Sequence, residues 1–138
     1  MERETVCVLG GGSTKYGKLD DSISDITVQA SVDAIESAGI EPKEIQAGYI
    51  SNVFGVADKQ VHLGPVVMSN LGISECPSLS IESACGSGSV SFREAFANVA
   101  AGFYDAVLVT GTETVSYTHL RAHETGRNLV CRLLLEKK

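Results

Sequence analysis

The sequence predicts an α/β fold, a mostly parallel sheet with packed helices. Three observations lead there. Short runs rich in β-branched residues alternate with stretches whose apolar residues recur at helical spacing, and that alternation implies crossover connections between parallel strands. Glycines close the helical stretches. Of the 138 residues 43% are hydrophobic, enough to bury one core.

Composition narrows the function classes. The formal charge of −6 argues against a surface built for nucleic acid. No apolar stretch approaches the roughly 20 residues needed to cross a bilayer, and the N-terminus carries acids where a signal peptide needs an apolar segment. Cys7, Cys76, Cys85 and Cys131 form no C-x-x-C pair, so reduced thiols and a cytoplasmic protein are expected. Charge is unevenly spread. Residues 1–116 hold 15 acids against 6 Lys/Arg, whereas residues 117–138 hold 2 against 5.

The elements follow in order. Residues 5–9, with Val6 and Val8, form a buried first strand stopped by Gly10, Gly11 and Gly12. Residues 12–18 satisfy G-x-x-x-x-G-K, but Leu19 stands where a phosphate-binding loop needs a Ser or Thr hydroxyl for magnesium. The next helix also starts only near Ser22, so the loop is read as structural. Ser22 followed by Asp25 marks an N-terminal cap, and Ile23, Ile26, Ala30, Ala34 and Ala38 share one helical face that ends at Gly39. A second strand covers 49–54, with Asn52 as a polar strand end. A short helix spans 65–71, with Pro65 in its first turn and Gly72 after it. His62 is weighed as a base for a cysteine and assigned to the loop, since nothing around it marks it for catalysis. Cys76 is packing.

The central stretch is 78–89. Leu79 and Ile81 alternate with Ser78, Ser80 and Glu82 as in a short strand, and Val90, Ala95, Phe96 and Val99 then recur at helical spacing to a stop at Gly102. Cys85 falls at the strand-to-helix junction. Free amides and the positive end of the helix dipole favour a thiolate there, which makes Cys85 the candidate nucleophile. Gly86 and Gly88, lacking Cβ atoms, are the candidate substrate-binding positions because they let an acyl group approach the sulfur. Arg93 and Glu94 take the wetter side of the helix, and a last strand spans 105–113.

Ser83-Ala84-Cys85-Gly86-Ser87-Gly88 resembles the nucleophile motif of the thiolases, especially the archaeal and sterol-carrier-like branch. Thr14-Lys15-Tyr16-Gly17 and Val109-Thr110-Gly111-Thr112-Glu113 are similar to that family's Thr-x-x-Gly turn and Val-x-Gly-x-Glu strand. The likeness covers roughly residues 4–116. It implies the incomplete N-terminal half of a doubled thiolase fold, whose half-sheet has five strands, of which about four are supplied here. It also implies an acetyl-CoA C-acetyltransferase, working by Claisen condensation or thiolysis through an acyl group on Cys85. The same resemblance implies a coenzyme A thioester as substrate, no resident cofactor or metal, and a whole enzyme expected to be a dimer or tetramer of identical chains. The family's His-containing motifs, Gly-His-Pro stretch and second cysteine are missing, so turnover by this chain alone is not expected.

Ketoacyl synthases and hydroxymethylglutaryl-CoA synthases of the same superfamily share the strand-Cys-helix turn. From other classes, a cysteine hydrolase needs an acid and a histidine after the nucleophile, and a noncatalytic interaction fragment needs neither. Residues 1–116 are read as a partial thiolase N-terminal domain. Residues 117–138 are read as an unrelated tail, because the sequence from Ser116 onward resembles translated sequencing-adapter read-through and is set outside the fold reasoning. Within it His119 and His123 lie one helical turn apart, too few ligands for a metal site, and Leu133, Leu134 and Leu135 suggest a covering helix or a loose end.

Overall fold

The computed structural model describes residues 5–17, 19–53, 60–114 and 133–137. In chain order these form β1 (Val6–Val8), α1 (Ile23–Ala38), a 3-10 turn (Pro42–Glu44), β2 (Ala47–Ser51), α2 (Leu63–Asn70), β3 (Ser78–Ile81), α3 (Ser87–Ala100), β4 (Ala106–Gly111) and β5 (Leu133–Lys137). The five strands make one sheet in the order β1-β5-β4-β2-β3. β2 pairs in parallel with both β3 and β4, and β5 pairs antiparallel with both β4 and β1. Four strands therefore point one way and β5 runs against them.

Alternation along the strands builds two cores. Ile50 of β2 and Leu108 of β4 face one side, where Ile23, Ala34 and Ile35 of α1 and Val67 and Met68 of α2 cover them. Ala47 and Tyr49 of β2 and Val107 and Val109 of β4 face the other, against Ala95 and Val99 of α3. Every residue of β2 is buried, as a strand covered on both faces must be. Each large side chain wholly removed from water, such as Ile50 or Met68, contributes about 1.5–3 kcal/mol.

The capping signals act as the sequence suggests. Ser22 Oγ accepts the Asp25 amide at 3.2 Å, and Gly39 ends α1 in the left-handed region with φ 68. The alanine face of α1 admits close packing. A Cβ on Gly10 would lie 2.5 Å from the Ala38 amide nitrogen, and one on Gly12 would collide with the Ala30 carbonyl. The glycine-rich loop thus runs against the flank of α1 and does not open a helix N-terminus around a phosphate.

Four expectations change. β1 is not buried: it is an end strand whose partner is β5, and Val8 is 48% exposed. β2 begins and ends earlier than 49–54, and Phe54 lies outside the described residues. The sheet has five strands, because Leu133–Lys137 forms a strand between β1 and β4 where a helix or a loose end was expected. On α3, Phe96 turns outward at 47% exposure while Ser87, Ser91, Ala95 and Val99 form the buried stripe.

Candidate active site

β2, β3 and β4 end level. Ser51 is in register with Ile81 on one side and with Gly111 on the other, so the chain leaves all three parallel strands at one end of the sheet. Ligand sites of parallel sheets form at such carboxyl ends. The ends of β2 and β4 are laced beyond the strands. Thr112 N–H donates to the Ser51 carbonyl at 3.0 Å, Asn52 Nδ2 donates to the Thr112 carbonyl at 2.8 Å, and Glu113 Oε2 accepts the Val53 amide at 2.9 Å. Asn52 is therefore a strand-end clamp.

The chain leaving β3 makes a tight turn into α3, and Cys85 lies on it. Ala84 has φ 47, the only positive φ at a non-glycine among the described residues. Four hydrogen bonds close the turn. Gly86 N–H donates to the Ser83 carbonyl at 2.9 Å and Ser87 N–H to the Ala84 carbonyl at 3.1 Å. Ser83 N–H donates to Ser87 Oγ at 2.8 Å, and Ser87 Oγ donates to the Ala84 carbonyl at 2.7 Å. Outside this ring Glu82 Oε1 accepts the Ala84 amide at 2.7 Å. The Cys85 thiol is free and exposed. Gly86 is the N-cap of α3, and the amides of the exposed first-turn residues Gly88 and Ser89 find no acceptor among the described residues.

The two candidate glycines differ. A Cβ on Gly86 would meet the Ser83 carbonyl oxygen at 3.3 Å, so that position is constrained from within the turn. A Cβ on Gly88 would meet nothing within 4 Å, so the surface beside the helix start is open. A pocket of about 180 Å³ lies at the same end of the sheet, lined by Asn52, Val53, Gln60, Leu63, Ile81 and Glu82 among others. It touches the turn through Glu82. Its size is below the range of about 300–1,000 Å³ usual for a whole small-molecule site.

Residues 6–132 match the family described as Thiolase, N-terminal domain. The chain belongs to that thiolase family. An acetyl-CoA acetyltransferase of Methanocaldococcus jannaschii is 39% identical over 113 residues, covering 80% of this chain and 29% of the relative. Another, of Methanothermobacter thermautotrophicus, is 35% identical over 113 residues, covering 80% of this chain and 30% of the relative. This thiolase chain thus spans about three-tenths of the length of these curated relatives. Among solved structures, 3-oxoacyl-[acyl-carrier-protein] synthase III from Aquifex aeolicus VF5 superposes with a TM-score of 0.82 at 14% identity, covering 97% of this chain and 54% of that one. That likeness shows the fold.

Among the described residues, the other sequence candidates make no hydrogen bond to the turn of this thiolase domain. His62 is exposed at the start of α2, where its carbonyl accepts the Val66 amide at 3.2 Å, and no hydrogen bond joins it to Cys85. Cys76 Sγ donates to the Ile45 carbonyl at 3.0 Å and packs against the first core. His119, His123 and Cys131 lie outside the described residues. Sequence reasoning missed Glu82, Ser87 and Glu113 as backbone-binding side chains. A signal existed for Ser87, a polar residue two positions past the cysteine and at the first position of a helix.

Proposed function

We propose that this thiolase domain carries the acyl-accepting half of an acetyl-CoA C-acetyltransferase, with Cys85 as the nucleophile. The observation that carries the reading is a free, exposed thiol held between a left-handed Ala84 and the N-cap of α3. In the first step the Cys85 thiolate adds to the thioester carbonyl of acetyl-CoA. The bond from that carbonyl to the coenzyme A sulfur breaks, a new bond to Cys85 sulfur remains, and coenzyme A leaves as the thiol after taking up a proton. The amides of Gly88 and Ser89, unpaired among the described residues, supply donors of the kind that stabilise charge on a thioester oxygen. Gly86 shapes the turn and Gly88 leaves room for the carrier.

Claisen condensation or thiolysis needs a base as well, and among the described residues no histidine is hydrogen-bonded to Cys85. The reading is therefore confined to the acyl-transfer step, for which the described residues supply the nucleophile and its turn. The step as written uses the coenzyme A thioester as substrate and needs no resident cofactor. Assembly into a homo-oligomer belongs to the same reading, supported by β3, a terminal strand whose Leu79 is 43% exposed. A cytoplasmic, lipid-metabolic setting fits the free thiols and the acyl-CoA chemistry.

The test is to incubate the 138-residue chain with acetyl-CoA and read peptide masses. One acetyl group on the peptide bearing Cys85, absent in C85A, is the expected result. Acetylation spread evenly over Cys7, Cys76 and Cys85 would defeat it.

A further inference from the structure

The geometry points to Ser87 as a positioning residue for the nucleophile: its buried hydroxyl fixes the peptide before Cys85 and with it the direction in which the thiol leaves the turn. The inference rests on Cys85 being the acyl acceptor. Ser87 is 5% exposed, and its single hydroxyl hydrogen goes to the Ala84 carbonyl at 2.7 Å while its oxygen accepts the Ser83 amide at 2.8 Å. One side chain thereby ties the Ser83 amide, at the start of the turn, to the Ala84 carbonyl of the peptide that leads into Cys85. Ala84 is the residue with φ 47, a conformation an alanine leaves when nothing holds it.

The committed hydrogen matters chemically. With its proton on the Ala84 carbonyl, the Ser87 hydroxyl has none left for a thioester oxygen, so it acts through the turn. The next serine on the same stripe makes the contrast. Ser91, one helical turn on and wholly buried, has no hydrogen-bond partner for its hydroxyl among the described residues. Burial of a serine on this face is thus not enough to create the contact. Ser87 has it because the turn brings both backbone groups to its oxygen.

Orientation matters far more for attack on a thioester than for reaction with a small alkylator, because only the former must meet a carbonyl carried by a bulky partner along a defined path. The experiment compares wild type, S87A and S87T with two reagents, acetyl-CoA and iodoacetamide, reading Cys85 and Cys76 in the same digest. In S87A, acetylation of Cys85 should fall on the order of tenfold, alkylation of Cys85 should change by less than about threefold, and Cys76 should stay as protected as in wild type. S87T retains the hydroxyl and should recover most of the acetylation. Equal acetylation in S87A and wild type overturns the inference and leaves the nucleophile reading standing. So does exposure of Cys76 in S87A, which would mean that the substitution acts on the whole fold. A wild-type chain that never acetylates Cys85 overturns both.

Discussion

Glu82 and Ala84 are joined across the nucleophile turn, the Glu82 carboxylate accepting the Ala84 amide proton at 2.7 Å. The contact explains why a residue with a Cβ tolerates φ 47. Its amide is held by Glu82 and its carbonyl by Ser87, so both peptides around it are fixed from outside. Left-handed backbone costs a non-glycine residue about 1–2 kcal/mol, and that cost is kept at the residue before the candidate nucleophile.

Replacing Ala84 separates stability from reactivity. A84G removes the steric cost and adds unfolded-chain entropy worth about 0.5–1 kcal/mol, so the net change runs from about zero to a stabilisation of about 1.5 kcal/mol. The same substitution lets the turn sample other conformations, and acetylation of Cys85 should slow. Urea denaturation and the acetyl-CoA assay measure the two effects. Loss of stability in A84G would show that the turn does not store strain.

The alkaline limit of the fold has a named contributor. Burial first, then the neighbouring Tyr104 and Glu94, raises the Tyr49 phenol above its ordinary value of 10.0. Below that value folded and unfolded chains both keep the proton, and the contribution of Tyr49 is intact. As pH climbs past it toward the raised folded value, the unfolded chain releases its proton first and stability is lost. Y49F has no such proton. Its melting temperature should fall less than that of wild type between about pH 9.5 and 11. Parallel curves would mean that Tyr49 does not couple to folding.

Where side chains meet backbone, the sequence was hard to read. The ends of α1 were legible because Ser22 and Gly39 are local devices whose geometry depends only on neighbours. The junction at Cys85 was legible because a period-2 run gives way to a helical one. The inward face of α3 was not. Large apolar residues suggested that Phe96 faces the sheet, yet that face carries Ser87 and Ser91, and Phe96 is 47% exposed. Small residues let a helix lie close to a sheet, and the Ser87 hydroxyl satisfies backbone groups at the same time. Thr27 and Ser31 repeat the lesson on α1. Both are wholly buried, and their hydroxyls donate to the Ile23 and Thr27 carbonyls at 2.6 Å. Glu113 stood in a recognisable motif, but only the level ends of β2 and β4 show that it binds the Val53 amide.

β5 was the least legible element, and it bears on the proposed boundary near Ser116. Leu133, Leu134 and Leu135 register with Val109, Leu108 and Val107 of β4, and β5 also pairs with β1. The family match reaches residue 132, and the curated relatives align over 113 residues, 80% of this chain. Strand pairing is made by backbone groups, so an apolar run of foreign origin can fill a vacant slot as readily as a native one. Deleting residues 117–138 should open the edge of β4, leave β1 without its partner, and produce self-association or binding of an apolar dye. The Cys85 turn springs from β3, at the opposite end of the sheet from β1, so labelling of Cys85 relative to Cys76 should hold. Sequencing the source locus beyond codon 116 tests the origin directly. The expected outcome is an open frame running on into further thiolase sequence with its histidine motifs. A genomic stop after Lys138 with the tail intact would make β5 native, and would return His119 and His123 to the list of candidate site residues.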